Sequence, residues 1–272
     1  MRADLHVHSA ASDGTASPRE LVELALANKV DVLAIADHDS VEGLPEAFLA
    51  SANTGLTIIP AVELSSVMDG ADVHILAYFV DPLDADLAAV LSQLRAARRR
   101  RAESMVGALR DAGYDVTIDD VLALSDGGAV GRSHVARALV GSGAAESVSD
   151  AFQRLIGRGM PFYVPKESTS PETVVGIIRS LGAVPVLAHP GVTGIDGEIP
   201  GLVAAGLLGI EAYHADHTPQ QRQEYAELAA RMGLLVTGGT DFHGSYAHNP
   251  AVGSIHIPEA AVRALLAAGA SA

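Results

Sequence analysis

His6 and His8 stand two residues apart in the string Asp4-Leu5-His6-Val7-His8. In an extended strand that spacing projects both imidazoles from one face, so two rings can reach a single ion. Further groups able to hold a metal recur along the chain: Asp13, His38, Glu63, His74, His189, His214, and the pair in Asp241-Phe242-His243. The chain contains no cysteine, which excludes thiolate sites, Fe–S clusters, disulfides and Cys nucleophiles together. Any metal must sit on imidazole and carboxylate, a donor set that suits Mn²⁺, Fe²⁺ or Zn²⁺.

Such scattered groups meet only if the fold brings them together. Short apolar runs predict strands over 3–7, 30–36, 56–62, 73–80, 184–188, 208–213 and 234–237. Helical patterns at 18–28, 41–53, 171–181, 219–232 and 258–268 punctuate them. Runs such as Val32-Leu33-Ala34-Ile35 are apolar throughout, as expected of parallel strands buried on both faces. The alternation predicts an α/β fold with a closed, barrel-like sheet. Nearly all the candidate groups fall at carboxyl ends of strands, the rim where loops of such barrels converge; His74 opens its strand instead.

Between 84 and 164 no strand pattern appears. Helices are expected over 84–112, 118–124, 132–140 and 147–156, separated by turns such as Gly141-Ser142-Gly143. The chain therefore divides into a discontinuous barrel, 1–83 and 165–272, and a small helical insertion domain, 84–164. Acidic residues outnumber basic ones 33 to 18, a net charge of −15 that disfavours long nucleic acid as a partner. The imbalance is local: residues 95–166 carry 11 basic and 8 acidic groups, net +3, leaving net −18 elsewhere. Within this stretch Gly131-Arg132-Ser133-His134 opens a predicted helix, where backbone N–H groups and a guanidinium fork favour phosphate oxygens. Lys166 marks the return to the barrel, and the run of arginines at 98–101 reads as a solvated helix face. No apolar run reaches the roughly 20 residues of a membrane span, and the first residues hold no leader-like apolar core. A soluble cytoplasmic protein without an obligate protein partner is the expectation.

The strings Asp4-Leu5-His6-Val7-His8-Ser9, Ser12-Asp13-Gly14, Ala36-Asp37-His38-Asp39, Val62-Glu63-Leu64-Ser65, Ala188-His189-Pro190 and Gly239-Thr240-Asp241-Phe242-His243-Gly244 are similar to the ordered motifs of the polymerase and histidinol phosphatase (PHP) family. That family comprises metal-dependent phosphoesterases, and the resemblance covers about 190 residues, everything outside the insertion. It implies a distorted (β/α)₇ barrel binding two or three divalent ions. Carried over by position, His6, His8, Glu63 and Asp241 resemble the ligands of one metal. Glu63 would bridge to a second held by His74 and His189, and Asp13, His38 and His243 resemble the third set. Ala36 and Thr240 depart from the family's usual Thr and Ser, beside ligands rather than at them.

Metals so placed supply a bridging hydroxide for attack on phosphorus, so no protein nucleophile is needed. Glu63, as the bridge, and His214, on the rim outside the ligand set, are the candidate catalytic groups. His214 would protonate or hydrogen-bond the leaving oxygen. Arg132, Ser133, His134, Lys166 and His217 are candidate substrate contacts, while His248 and His256 read as surface residues. The Gly-Arg-x-His string is similar to one in the nucleotide-acting branch with a helical insertion. That likeness implies hydrolysis of the 3′-phosphate of nucleoside 3′,5′-bisphosphates, with related trimming of short RNA from its 5′ end. A histidinol phosphate phosphatase would leave the basic insertion unexplained, and a non-enzymatic metal-binding accessory module would not need a complete ligand set.

Overall fold

The computed structural model describes residues 1–125, 127–167, 169–244 and 250–270. Strands β1 (Ala3–Val7), β2 (Val32–Ile35), β3 (Thr57–Met68), β4 (Ala71–Tyr78), β5 (Val184–Leu187), β6 (Gly209–His214) and β7 (Leu235–Gly239) lie side by side in chain order. The sheet closes where the chain beyond β7 meets the end of β1. There His8 N–H donates to the Phe242 carbonyl at 2.9 Å and Asp241 N–H to the His6 carbonyl at 2.8 Å. These contacts nearly close the barrel and draw the first and last candidate ligands into one place.

All pairings are parallel except those of β4, which runs antiparallel to both β3 and β5. The barrel is thus distorted at one strand, and the cause is local. Asp69 and Gly70 both adopt positive φ, 49° and 74°, forming the two-residue hairpin turn that only antiparallel strands can share. An antiparallel strand begins where its neighbours end. His74, paired with Ser65, thus lies at the same rim as the other candidates although it opens its strand.

Helices α1 (Pro18–Ala27) and α2 (Leu44–Ser51) flank the first three strands. A capping box starts α1: Ser17 Oγ accepts from Glu20 N–H, and the Glu20 carboxylate accepts from Ser17 N–H at 2.7 Å, with Pro18 pre-set for the first turn. Leu21, Val22 and Ala25 of α1 pack with Leu33 and Ile35 of β2, while Val32 and Ala34 on the opposite face pack with Leu5, Ala61 and Tyr78. Between β4 and β5 come α3 (Ala85–Asp111), α4 (Ile118–Ser125), α5 (Arg132–Gly141) and α6 (Val148–Ala151). They share a separate apolar cluster that includes Met105, Leu109, Val121, Val135, Leu139 and Ile156. The remaining helices, α7 (Pro171–Ser180), α8 (Pro190–Thr193), α9 (Ile199–Ala204), α10 (Pro219–Met232) and α11 (Glu259–Gly269), complete the barrel's outer layer and its end.

The arginine run does not behave as one solvated face. Arg98 and Arg101 sit on the buried side of α3, 8% and 9% exposed, whereas the side chains of Arg99 and Arg100 are both 60% exposed. A spacing of three places two arginines on one helical face and turns the two between them outward. Among the described residues no helix is long and apolar enough to cross a membrane. His256 is exposed, as expected, and His248 lies outside the described residues.

Gly239 passes His6 so closely that an added Cβ would meet His6 Cβ at 2.5 Å and its backbone nitrogen at 2.6 Å. Gly239→Ala is expected to cost about 3 kcal/mol of stability, since neither contact can relax without moving β1. Chemical denaturation checks this; a loss under about 0.5 kcal/mol would show that the closure is loose.

Candidate metal centre

His6 and His8, fully buried, form the floor of the rim, with their Nε2 atoms 3.1 Å apart. Asp241 Oδ1 approaches them at 3.5 and 3.0 Å, and Glu63 Oε2 at 3.5 and 3.4 Å. The other oxygen of Glu63, Oε1, lies 2.9 Å from His74 Nδ1 and 3.1 Å from His189 Nε2. The two oxygens of one carboxylate therefore address two different sets of rings. On the far side Asp13 Oδ1 lies 3.3 Å from His243 Nε2 and 3.9 Å from His8 Nδ1, and His38 completes that group. His38 reaches the centre because the β2–β3 ladder continues past β2: Glu63 N–H donates to the Asp37 carbonyl and Asp39 N–H to the Glu63 carbonyl. The side chains of His38, His74, His189, His243 and Asp241, between 12% and 21% exposed, open the cluster to solvent on one side.

These atoms converge without satisfying one another. His38 Nδ1 is 2.8 Å from Glu63 Oε2 and His74 Nδ1 is 2.9 Å from Glu63 Oε1. Yet His38 Nδ1, His74 Nδ1, Glu63 Oε2 and Asp241 Oδ1 are buried with no hydrogen-bond partner. Folded proteins leave few such groups, and here their lone pairs share positions between the residues rather than pairing off. Among the described residues, groups of imidazole and carboxylate atoms such as His8, Asp13, His38 and His243, or His38, Glu63 and His74, lie within 4.8 Å of one another and offer the donors that divalent cations take.

The PHP domain family profile matches residues 4–160. The chain belongs to the PHP family. A 3′,5′-nucleoside bisphosphate phosphatase from Chromobacterium violaceum is 37% identical over 246 residues, 88% of this chain and 86% of that one. A 5′-3′ exoribonuclease from Haemophilus influenzae is 36% identical over 245 residues, 88% and 89% of the two chains. A Bifidobacterium adolescentis structure, described as that of a metal-dependent phosphoesterase, superposes with a TM-score of 0.91 at 36% identity, covering 98% of this chain and 96% of its own. The protein is accordingly a PHP phosphoesterase, a hydrolase of phosphoesters in a metal-dependent family.

Electrostatics prepare the PHP centre unevenly. Burial pushes Glu63 upward, but the rings of His38, His74 and His6 outweigh it and hold the carboxyl well below its usual range. Asp241 and Asp13 are likewise held well down against burial, by His6 and His243 and by His243 and His38 respectively. Burial lowers His38 to about 3 and also lowers His74, so both rings are neutral and offer lone pairs. Burial opposes charge on His6, His189 and His243 too, yet neighbouring carboxylates raise all three, His243 to about 10. In the metal-free protein those three rings hold protons that an incoming cation must displace. Mn²⁺ affinity is therefore expected to rise with pH up to about 10, where His243 gives up its proton unaided, with net proton release on binding below that. Calorimetry in buffers of different ionisation enthalpy reads that release directly, and its absence would contradict the assignment.

Carboxylates outside the expected ligand set hold the loops. Asp37 accepts from Ser9 N–H at 2.7 Å, Ser9 Oγ at 2.6 Å and Ser12 Oγ at 2.5 Å, fixing the turn between His8 and Asp13. Asp4 accepts from Thr240 N–H and Oγ1, next to Asp241. Asp39 accepts from Ser65 N–H and from Arg98 Nε, while Arg98 Nη2 donates to Ser65 Oγ at 2.7 Å, which ties α3 to the rim. Asp39, His189 and Asp241 are non-glycine residues at φ of 50°, 28° and 51°, a concentration of backbone strain at the site.

The expected substrate residues divide by what they touch. Ser133 Oγ donates to Asp13 Oδ2 at 2.7 Å, so this residue of the helical segment reaches a candidate ligand. His134 Nδ1 accepts from Gly131 N–H and caps α5; the ring is 1% exposed, and burial lowers it to about 4. Arg132 bonds Asp72 Oδ2 at 2.7 Å and lies over the rings of Phe152 and Tyr163. Burial and the nearby Arg98 lower the half-buried Lys166 to about 7. His217 is 2% exposed and uses both ring nitrogens on backbone, Nε2 accepting from Gly191 N–H and Nδ1 donating to the Ala212 carbonyl. It braces the turn after His189 and has no ring nitrogen left for a substrate.

Proposed function

We propose that the protein is a nucleotide phosphoesterase that removes the 3′-phosphate from nucleoside 3′,5′-bisphosphates and trims short RNA from its 5′ end. The observation that carries this reading is the juxtaposition of a centre gathered around Glu63 with the cationic side chains of Arg98, Arg101, Arg132 and Lys166. The two relatives named above, a bisphosphate phosphatase and an exoribonuclease, act on substrates of that chemistry. His6, His8, Glu63 and Asp241 would hold one ion, Glu63, His74 and His189 a second, and Asp13, His38 and His243 a third. The mixed nitrogen and oxygen donors favour Mn²⁺, Fe²⁺ or Zn²⁺. Ions held there would supply an activated water and charge to neutralise the phosphoryl oxygens.

His214 supplies the proton. Its Nδ1 accepts from Asp216 N–H at 3.1 Å, so the neutral ring carries hydrogen on Nε2, 3.4 Å from Asp241 Oδ2. A ring nitrogen bearing hydrogen cannot ligate a metal but can donate to a leaving oxygen. The segment 84–164 acts as the element that grips the second phosphate, through Arg132 at the start of α5 and Lys166 beside it. A phosphate subsite at some distance from the reacting group turns remote binding into kcat/KM. Purified protein assayed for phosphate release with Mn²⁺ over a nucleotide panel tests the reading: nucleoside bisphosphates should react fastest. Faster release from histidinol phosphate would replace it with the rival enzyme.

A further inference from the structure

Glu211 lies on β6 beneath the rim, 0% exposed, in the otherwise apolar run Gly209-Ile210-Glu211-Ala212. A carboxylate so placed must have partners, and the His6 ring and the His189 backbone supply them, with His6 Nδ1 within reach of both oxygens. Oε1 lies 3.0 Å from His6 Nδ1, and Oε2 accepts from His189 N–H at 2.9 Å. Once a cation displaces the extra proton of His6, the first contact keeps the remaining one on Nδ1 and directs the Nε2 lone pair towards Glu63 and Asp241. The second holds the backbone of His189 at φ 28° and ψ 57°, a left-handed conformation that a residue with a side chain keeps only where its surroundings impose it. In that conformation the His189 ring reaches Glu63 Oε1 and stacks on His6, with centroids 5.9 Å apart and planes 16° apart.

We propose that Glu211 is a positioning residue that sets one histidine on each side of the Glu63 bridge and is not itself a metal ligand. The inference rests on the reading of His6 and His189 as ligands of two different ions. Donor atoms of Glu211, His6 and His214 do lie within 4.8 Å of one another. The Glu211 oxygens are occupied by His6 Nδ1 and His189 N–H, however, and His214 Nε2 carries hydrogen, so that grouping is a support and not a cation site. Asp13 takes its support from Ser133 and from the turn that Asp37 holds, which separates the third group from Glu211.

Selective loss of two ions is the signature. Metal-free wild type, Glu211→Gln and Glu211→Ala would be titrated with Mn²⁺ against a competing chelator, and bound metal counted by elemental analysis. Glu211→Gln keeps the side-chain volume and one acceptor oxygen, and the melting temperature of the metal-free protein reports folding. Two ions are expected to bind about 10–100-fold more weakly in both variants, while the third stays within about threefold of wild type. Unchanged affinity for all ions would overturn the proposal. Equal weakening of all three together with a collapse of the metal-free melting temperature would also overturn it, showing that Glu211 holds the fold and not the ligands. Wild type that binds fewer than about one ion would fail at the ligand reading itself, which distinguishes that failure from the first.

Discussion

Glu63→Gln is expected to lower kcat by about 10³-fold or more at saturating Mn²⁺, the largest loss from any single change in the centre. Both oxygens of Glu63 are in use, Oε2 against His6, His8 and His38 and Oε1 against His74 and His189. An amide keeps the shape but replaces one lone-pair donor by N–H groups and removes the charge that draws two cations together. Asp13→Asn disturbs one group only, and its loss should stay near 10–100-fold. Comparing kcat for the two variants at matched metal saturation checks the bridge. Equal or reversed losses would show that Glu63 does not join two ions.

Turnover of nucleotides by His214→Gln should fall about 10²–10³-fold, whereas an aryl phosphate should lose less than about tenfold. The difference follows from the leaving group. A sugar oxygen departs poorly without a proton, which the Nε2 hydrogen of His214 supplies; a nitrophenolate departs unaided. A proportional loss on both substrates would reduce His214 to a support of Asp241, its neighbour at 3.4 Å.

The convergence of these side chains was legible because most of them stand next to the carboxyl end of an apolar run, and strand ends of a barrel share a rim. His74 fitted that logic only through the β3–β4 hairpin, and the signal was present: Asp69-Gly70 between two apolar segments is a two-residue hairpin turn. The split of the arginine run was also readable, since residues 98 and 101 share a helical face. Glu211 could have been noticed as a lone charge in a strand that must be buried on both faces, but its partners could not. They come from β1 and the end of β5, 205 and 22 residues away along the chain. Ser133 is similar: its spacing marks a helix start, yet its partner Asp13 lies 120 residues earlier and is reached only when α5 docks on the rim. His217 looked like a second rim histidine because sequence does not show that a ring has spent both nitrogens on backbone.

Two neighbouring subsites are proposed, a metal centre that would cleave one phosphate and a cationic helical element that would grip another. Product analysis of adenosine 3′,5′-bisphosphate treated with the Mn²⁺-loaded protein tests this most directly. The 3′-phosphate should be released, giving 5′-AMP and inorganic phosphate as the products. Recovery of 3′-AMP in place of 5′-AMP would contradict the assignment of the two subsites.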